Sequence, residues 1–551
     1  MHISRLFITI FTTCLFYINC LSMDPIVEEL KKDIHHARHD IGAIVGIIAP
    51  EIGEAIRGEL PEAITKNPYK NTDAYVRIGD DISEGEKKYL SKRFAINKAS
   101  IETLLKRNIE DHQVPKVAIA CSGGGYRAML ATTGFLAGIE KIGTEKTNLL
   151  GATRDVAGLS GSTGAILPWI ATKQSLTEFK DYIKNCAKQS FIDPTDDEEL
   201  LIYDAAAVTS HFKQTRTPVD LYGKLIGNRV LEKFGKDRHM VYLSDLAAII
   251  EDGSYPYPIC TAIDATETQE AMLNPTWYGF TPHEIKNYRD NIHIPTWAFG
   301  RKFKNGKSHK GKFDIYPPEK NMSYILGTCW SAFGAPLHLV KKEIGKALEI
   351  EHFLENTLTS LDAQRLDFYA KVPNYTYKLD GHKHHESKIK SFVDAGTNFN
   401  IPIPVIHDAN IMIICDASAG TIGDHLQEAA EFMHKNNFPF PKINFENIDK
   451  KTISIFKEED PNVPVVIYVP RISDKALWEK HKFNPEYAHY NLDGFDFEYE
   501  TNHGFATTIH FQYDPENAQK IMDQMEFNIR VNEAKIIKAI EFAVNRKKLV
   551  Q

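Results

Sequence analysis

The stretch Arg154-Asp-Val-Ala-Gly-Leu-Ser-Gly-Ser-Thr-Gly164 has the sequence pattern of a sharp turn between a strand and a helix. Its β-branched, strand-like approach predicts a strand that ends at Leu159, and the apolar stretch 165–171 predicts a helix directly after it. A serine between the two, flanked by glycines, is typical of a nucleophile elbow, the sharp strand-to-helix turn that exposes a reactive hydroxyl. The stretch therefore predicts an α/β fold with Ser160 as a candidate nucleophile.

A second glycine-rich element lies upstream, at Val117-Ala-Ile-Ala-Cys-Ser-Gly-Gly-Gly-Tyr-Arg127. Successive glycines between a strand and a helix expose main-chain N–H groups beside the positive end of the helix, which suits a phosphate or an oxyanion. The run lacks the Gly-Lys-Ser/Thr of a P-loop and the GxGxxG of a dinucleotide site. The interpretation as an oxyanion site therefore remains.

Arg127 and Asp394 are the charged candidates beside these turns. A cation in the first helical turn opposes the helix dipole, so Arg127 needs an anion: a buried carboxylate, a substrate phosphate or a developing oxyanion. Ser160 needs a general base, and none of the 22 histidines lies in a convincing catalytic motif. Asp394, at a predicted strand end, is the better candidate, because a shielded carboxylate can accept the serine proton. Its structural alternative is a turn-capping aspartate.

The rest of the chain alternates predicted strands with predicted helices. Continuous apolar runs at 117–121, 411–415 and 465–469 are typical of strands buried on both faces, and they predict a central, mostly parallel sheet. Catalytic loops then belong at the carboxyl ends of the strands. More than 230 residues separate Ser160 from Asp394, and we expect an inserted cap roughly within 200–390.

The first 82 residues predict a separate segment. Residues 1–22 have positive charges before an apolar stretch and small residues at cleavage spacing, so they predict a signal peptide and export. A buried or membrane-tethering helix, on a cytoplasmic peripheral membrane protein, is the alternative. Residues 23–82 predict a helical N-terminal extension, after which Ser83 and Glu86 are spaced to cap a charged helix at 83–110.

Composition excludes some classes of function. The 551-residue chain is 43% hydrophobic and 25% charged, as in soluble proteins with a large core, and its net charge of −8 argues against nucleic-acid binding. The basic run 301–312 predicts a solvated loop or a contact with anionic headgroups. His35 and His39 lack the glutamate of a zinc motif, and Cys121 and Cys415 are interpreted as structural, so no metal site is predicted.

Three motifs together closely resemble the catalytic domain of the group IV, or cytosolic, phospholipase A2 family, whose relatives include fungal lysophospholipases and patatins. They are residues 122–129, 158–163 and 394–402. The similarity spans about residues 83–547. It implies a three-layer α/β/α, patatin-like core with a cap over the active site.

The resemblance also implies the chemistry. Ser160 is the nucleophile and Asp394 the general base of a Ser–Asp dyad, Gly124 and Gly125 are the oxyanion donors, and Arg127 orients the substrate phosphate. The reaction is hydrolysis of a glycerophospholipid or lysophospholipid acyl ester through an acyl-serine, at a phospholipid membrane surface. A transacylase that uses the same acyl-serine, and a catalytically silent lipid-binding protein, are the alternatives.

Two departures from the family pattern bear on function. Residues 1–82 are too short and too helical for the calcium-binding C2 domain of the best-known members, so we expect no calcium requirement and no cofactor. Gly164 stands where a bulky aromatic residue is common, which is expected to reshape the pocket wall.

Overall fold

A 12-stranded mixed sheet forms the centre of the molecule. The computed structural model describes residues 62–547, except for 191–207, 209, 210, 213, 216, 266–273, 311–313, 332–368, 382–384 and 509. In chain order the strands are β1 (Arg77–Ile78), β2 (Val117–Cys121), β3 (Thr153–Leu159), β4 (Tyr257–Asp264), β5 (Trp277–Phe280), β6 (Glu284–Asn287), β7 (Ile292–Pro295), β8 (Phe303–Lys304), β9 (Lys307–Ser308), β10 (Ala370–Pro373), β11 (Ile389–Asp394), β12 (Ile411–Asp416), β13 (Ser454–Phe456) and β14 (Val465–Pro470). Within the described residues, β8 and β9 form a separate two-stranded sheet, and the other strands make up the central one.

Helices cover both faces of this sheet. In the described residues they are α1 (Glu62–Thr65), α2 (Glu84–Leu105), α3 (Gly125–Glu140), α4 (Leu149–Ala152), α5 (Thr163–Thr172), α6 (Leu176–Lys188), α7 (Pro218–Val230), α8 (Leu246–Ile250), α9 (Met322–Cys329), α10 (Asp424–Lys435), α11 (Lys475–His481), α12 (Phe497–Asn502), α13 (Pro515–Arg530) and α14 (Glu533–Lys547). Helix α3 packs on α6 and α13, and α2 packs on α4 and α14. The result is the α/β/α architecture that the sequence predicts.

The centre of the sheet is parallel. Strands β4, β3, β2, β12 and β14 lie side by side in this order, and each neighbouring pair is parallel. All residues of β2, β12 and β14 are buried, because strands covered by helices on both faces leave no side chain in water. The apolar runs therefore do form the predicted parallel core.

An antiparallel extension that the sequence analysis did not predict continues the sheet beyond β4. Strands β5, β6, β7 and β1 follow in this order, and each pairs antiparallel with its neighbour. Strand β1 belongs to the predicted helical extension, and of residues 62–82 only Glu62–Thr65 is α-helical. Residues 1–61 lie outside the described residues.

The helix predicted at 83–110 is α2, and it starts as expected. The Ser83 hydroxyl accepts a hydrogen bond from the N–H of Glu86, which caps the first turn. The helix ends at Leu105, and Lys106 then adopts a left-handed conformation with a φ of 52°. Its buried Arg93 donates hydrogen bonds to the carbonyl oxygens of Thr153 and Gly253, which fixes the helix across the amino-terminal ends of β3 and β4.

Candidate active site

Ser160 lies in the sharp turn between β3 and α5. Its φ of 52° falls in the left-handed region, which non-glycine residues adopt only where the surrounding structure constrains them. A Cβ on the following Gly161 would lie 1.9 Å from the carbonyl oxygen of Gly125, so a side chain does not fit there. The Ser160 side chain itself is buried, with 4% of its residue surface exposed. Strained backbone and close approach are both typical of a nucleophile elbow.

Strand pairing brings Asp394 next to the end of the strand that leads into Ser160. Strand β3 pairs with β4 up to Leu159, which lies opposite Thr261. Strand β11 pairs with the next part of β4, where Asp394 lies opposite Ala262. Because β5 occupies the other edge of β4 here, the ends of β3 and β11 meet on one edge, with Leu159 and Asp394 at successive positions.

The Asp394 carboxylate is fully buried and is held by its own loop. Its Oδ1 accepts a hydrogen bond of 2.8 Å from the N–H of Gly396, and the main-chain N–H of Asp394 donates to Oγ of Ser331 at 3.3 Å. Asp394 therefore does cap a short helical turn, which was the structural alternative, and it does so beside Ser160. The two descriptions are compatible, because the cap uses Oδ1 and orients the carboxylate.

The glycine loop between β2 and α3 faces the elbow. Gly124 and Gly125 both have positive φ, at 139° and 65°. Within the described residues, neither of their N–H groups has a hydrogen-bond acceptor. They lie at the N-terminus of a 16-residue helix, where the partial positive charge of the helix dipole is concentrated. The loop thus presents two uncommitted donors beside Ser160.

Hydrogen bonds to the neighbouring loops fix this glycine loop. The N–H of Ser122 donates to the carbonyl oxygen of Cys415 at 2.9 Å, and its Oγ accepts from the N–H of Ala417 at 2.7 Å. The hydroxyl of Ser162, two residues beyond Ser160, donates to the carbonyl oxygen of Ser122. The elbow and the glycine loop are therefore hydrogen-bonded to each other as well as packed together.

Arg127 is fully buried directly behind the glycine loop. Its Nε donates to the carbonyl oxygen of Ala417 at 2.7 Å, Nη1 to that of Ala506 at 2.6 Å, and Nη2 to Oγ1 of Thr508 at 3.2 Å. Burial lowers the pKa of Arg127 to about 10, so the guanidinium keeps its charge at neutral pH. In the described part of the chain it forms no salt bridge with a carboxylate. The charge of the buried Asp416 carboxylate acts on Arg127 without a direct ion pair, so a substrate phosphate or a developing oxyanion remains open as a further anionic partner.

Asn400 is a site residue to which the sequence analysis gave no role. Its Nδ2 donates to the carbonyl oxygen of Gly123 at 3.0 Å and to Oγ of Ser418 at 2.9 Å. Ideal Cβ atoms on Gly123 and Gly396 would lie 2.3 and 2.9 Å from its Oδ1, so this amide sits between the glycine loop and the Asp394 loop. The sequence signal for a role of Asn400 was its place in the motif 394–402, six residues after Asp394.

Other predicted features lie away from this site or pack differently. Arg301, the first residue of the basic run, is 1% exposed and stacks its guanidinium 4.8 Å from the ring of Trp297, so the prediction of a solvated loop is wrong at its start. At Gly164, a Cβ would lie 2.6 Å from Cζ3 of Trp330, which fills the space that a larger residue would need. His35 and His39 lie outside the described residues.

The described residues also bear on metal and cysteine chemistry. Among them, no group of three or more histidine, cysteine, aspartate or glutamate side chains is arranged to hold a metal ion. The described cysteines are all buried and free of disulfides: Cys121, Cys186, Cys260, Cys329 and Cys415. Burial and the absence of these bonds agree with a packing role as small apolar side chains.

Residues 117–414 match the family model described as the lysophospholipase catalytic domain. The match covers more than half of the 551 residues and includes the glycine loop, the elbow and Asp394. The chain belongs to this family.

Relatives of this lysophospholipase-family chain cover most of its length. Cytosolic phospholipase A2 zeta of Mus musculus is 22% identical over 86% of this chain and 63% of its own length. Cytosolic phospholipase A2 epsilon of Homo sapiens is 23% identical over 86% of this chain and 61% of its own length. The chain thus spans less than two thirds of these relatives. A lysophospholipase of Torulaspora delbrueckii is 25% identical over 77% of this chain and 74% of its own length.

A solved structure shares the fold of this family member. The human GIVD cytosolic phospholipase A2 matches with a TM-score of 0.71 at 17% identity, over 86% of this chain and 68% of that one. At this identity the match establishes the fold, including the patatin-like α/β/α core with its central sheet. It assigns no residue role.

The prediction of export is wrong. The relatives include cytosolic phospholipases A2 zeta, gamma and epsilon, and these names contradict a secreted protein. The apolar stretch that suggested a signal peptide lies in residues 1–22, outside the described part of the chain. Within the described part, none of the helices combines the length and the apolar character needed to cross a bilayer.

Proposed function

We propose that this protein is a serine lipid acyl hydrolase that cleaves acyl esters of glycerophospholipids or lysophospholipids. The observation that carries the proposal is the meeting of β3 and β11 on one edge of β4, which supports a dyad of Ser160 and Asp394. The names phospholipase A2 and lysophospholipase among the relatives support the substrate class. Because the chain spans only part of its first relatives, its activity is inferred from its own site.

The proposed reaction uses the dyad and the glycine loop in two halves. Asp394 accepts the proton of the Ser160 hydroxyl as Oγ attacks the ester carbonyl, and the resulting oxyanion accepts hydrogen bonds from the N–H groups of Gly124 and Gly125. The alcohol leaves with a proton returned from Asp394, and an acyl-serine remains. Water, deprotonated by Asp394, then attacks the acyl-serine, and the fatty acid is released as the Ser160 hydroxyl is restored.

Arg127 is proposed to orient the substrate phosphate. Three of its N–H groups are used by Ala417, Ala506 and Thr508, and a guanidinium has five. Its Nη2 lies 2.5 Å from the position of an ideal Cβ on Gly124, which puts the positive charge against the proposed oxyanion donors. Positive charge in a site that excludes water favours an anionic group there.

The partner is proposed to be a phospholipid membrane surface, since that is where such substrates reside. No metal or cofactor is assigned to the reaction, because protein groups take each of its roles: nucleophile, base, oxyanion donor and phosphate ligand. We therefore expect activity without calcium.

Fatty-acid release from mixed phospholipid and lysophospholipid vesicles, with and without a chelator, tests this function. We expect release that survives chelation, that is lost in Ser160→Ala, and that persists in Ser91→Ala, a matched change at an exposed serine of α2. An added alcohol that captures most of the acyl groups would instead assign a transacylase. Absence of release, with vesicle binding retained, would contradict the proposal and favour a lipid-binding protein.

A further inference from the structure

Asn400 holds both polar groups of Gly123. The main-chain N–H of Gly123 donates to the carbonyl oxygen of Asn400 at 3.2 Å, and the Asn400 side-chain Nδ2 donates to the carbonyl oxygen of Gly123 at 3.0 Å. One residue of the Asp394 loop thus bonds to the glycine loop with its main chain and with its side chain. The proposed catalytic set leaves this contact without a role.

The side-chain contact acts on the peptide that carries a proposed oxyanion donor. The carbonyl oxygen of Gly123 and the N–H of Gly124 belong to the same planar peptide, in which the two groups point in opposite directions. A hydrogen bond that fixes the C=O therefore also fixes where the Gly124 N–H points. Accepting that bond also polarises the peptide, which strengthens its N–H as a donor.

A chain of hydrogen bonds fixes the orientation of the Asn400 amide. Its Nδ2 also donates to Oγ of Ser418 at 2.9 Å, and the N–H of Ser418 donates to Oδ1 of Asp416 at 2.9 Å. The hydroxyl of Tyr468 donates to Oδ2 of Asp416 at 2.6 Å. The amide is thus connected by hydrogen bonds to β12 and β14, two neighbouring parallel strands of the sheet.

The two residues that flank this amide are glycines, and a side chain on either one would be too close to it. Gly123 has Oδ1 of Asn400 2.3 Å and Cβ of Ser160 2.8 Å from its ideal Cβ position, and Gly396 has Oδ1 of Asn400 2.9 Å and Oδ1 of Asp394 3.1 Å from its own. The amide oxygen therefore lies close to the main chain of both the glycine loop and the Asp394 loop. A change at Asn400 alters the spacing of the glycine loop and the Asp394 loop directly.

We propose that Asn400 is a positioning residue that aims and polarises the Gly124 N–H toward the oxyanion. The inference rests on the proposed acyl hydrolysis and adds to it a residue that acts through another group, without contact to the reacting atoms. Its effect belongs to the transition state, because the oxyanion forms only there. The ground-state affinity for lipid is expected to stay the same.

Kinetics of purified full-length variants on micellar lysophospholipid test the inference. Asn400→Ala removes the donor, and Asn400→Asp keeps the shape but turns a carboxylate toward the Gly123 oxygen. We expect kcat to fall about 10- to 100-fold in both, less than the loss of a whole oxyanion donor, with KM within about twofold. Asn108→Ala, a matched change at an exposed asparagine just after α2, is the control, and we expect about a twofold effect or less.

Inhibitor binding separates positioning from general destabilisation. A lipid trifluoromethyl ketone forms a tetrahedral adduct with an oxyanion, so its Ki should weaken by the same factor as kcat/KM, while Ki for a non-hydrolysable ether lipid stays constant. An unchanged kcat in both Asn400 variants, or an unchanged ketone Ki together with a lowered melting temperature, would overturn the inference alone. An inactive wild type would overturn the proposed function, and the inference with it.

Discussion

Two parts of the sheet differ in whether their charged side chains form salt bridges. In the antiparallel wing, residues 69–79 and 277–320, Lys286 pairs with Glu86 of α2 at 2.6 Å, and Arg77 pairs with Glu284 at 2.7 Å. At the catalytic edge, formed by the loops after β2, β3, β11 and β12, the buried Arg127 forms no salt bridge among the described residues, and the charge of the buried Asp416 acts on it without direct contact.

The difference shows where a ligand is expected. Buried polar groups in folded proteins are nearly always paired, because an unpaired one costs free energy. In the wing, Lys286 and Arg77 are paired with carboxylates, so these two charges are structural. At the catalytic edge the N–H groups of Gly124 and Gly125 have no acceptors in the described part of the chain, and a bound substrate would supply acceptors for them. Such exceptions are typical of functional sites.

The largest expected effect is at the dyad. Ser160→Ala and Asp394→Asn should each lower kcat about 10⁴-fold or more, because each removes a group that bonds to or deprotonates the reacting atoms. The measurement is fatty-acid release by purified protein, with thermal unfolding as the control. Activity that survives in Ser160→Ala would show that the catalytic edge is not the active site.

The next effect tests the glycine loop. A Cβ on Gly124 would lie 2.5 Å from Nη2 of Arg127 and 3.1 Å from the carbonyl oxygen of Ala417, at a φ of 139°. We expect Gly124→Ala to lower kcat about 10²- to 10³-fold, the value of one oxyanion donor. Gly494→Ala is the control, since its φ of 71° also disfavours alanine but no atom lies within 4 Å. Equal losses in both would assign the effect to backbone strain.

Two buried arginines, Arg127 at the catalytic edge and Arg301 in the wing, allow the two regions to be compared by the same substitution. Arg301 donates to the carbonyl oxygens of Thr72 and Tyr69 at 2.8 and 2.9 Å and stacks on Trp297, while Arg127 lies behind the oxyanion loop. Lysine keeps the charge and loses the planar fork, so both changes to lysine should cost about 1–3 kcal/mol of stability. Only Arg127→Lys should lower kcat/KM, about 10- to 100-fold per folded molecule. A similar loss of activity in Arg301→Lys would contradict the separation of the two regions.

The smallest effect on activity, and a distinct effect on stability, is expected at Glu319 in the wing. Burial raises the pKa of this carboxyl to about 8 from an ordinary 4.5, and it is hydrogen-bonded to Ser244. Between these values the folded state holds a proton that the unfolded state releases, so the free energy of unfolding falls as pH rises from about 4.5 to 8.

Glu319→Gln, which imitates the protonated acid, should remove this part of the pH dependence. Melting temperatures of wild type and variant should be similar near pH 5, and the wild type should melt lower near pH 8. Parallel pH profiles for the two proteins would show that Glu319 is ionised in the folded state.

The parallel core was predictable because its signals are local. Val117–Cys121 and Ile411–Asp416 are continuous apolar runs, and the turns at Gly124 and Ser160 follow directly in the sequence. The wing gave no such signal, since Glu284–Asn287 and Ile292–Pro295 have only four residues each and the first buries two charged side chains. Glu284 and Lys286, the two charged residues, pair with Arg77 and Glu86, which are about 200 residues away in the sequence.

The site was predictable in part for the same reason. Asp394 was proposed as the base from its place at a predicted strand end and from the family resemblance, but the register that sets the end of β11 next to β3 on β4 is not revealed by any spacing in the sequence. Asn400 was missed because its contact with Gly123 joins residues 277 positions apart. Arg301 was misjudged because composition does not show that the rings of Trp297 and Tyr316 cover it.

Covalent labelling shows whether Ser160 is the nucleophile of an acyl hydrolase. A long-chain alkyl fluorophosphonate would be incubated with the full-length protein, and the modified residue located by peptide mass spectrometry. We expect one adduct per molecule on Ser160, formed much more slowly in Asp394→Asn and at an unchanged rate in Ser91→Ala. No adduct, or an adduct on another serine with Ser160 unmodified, would contradict it.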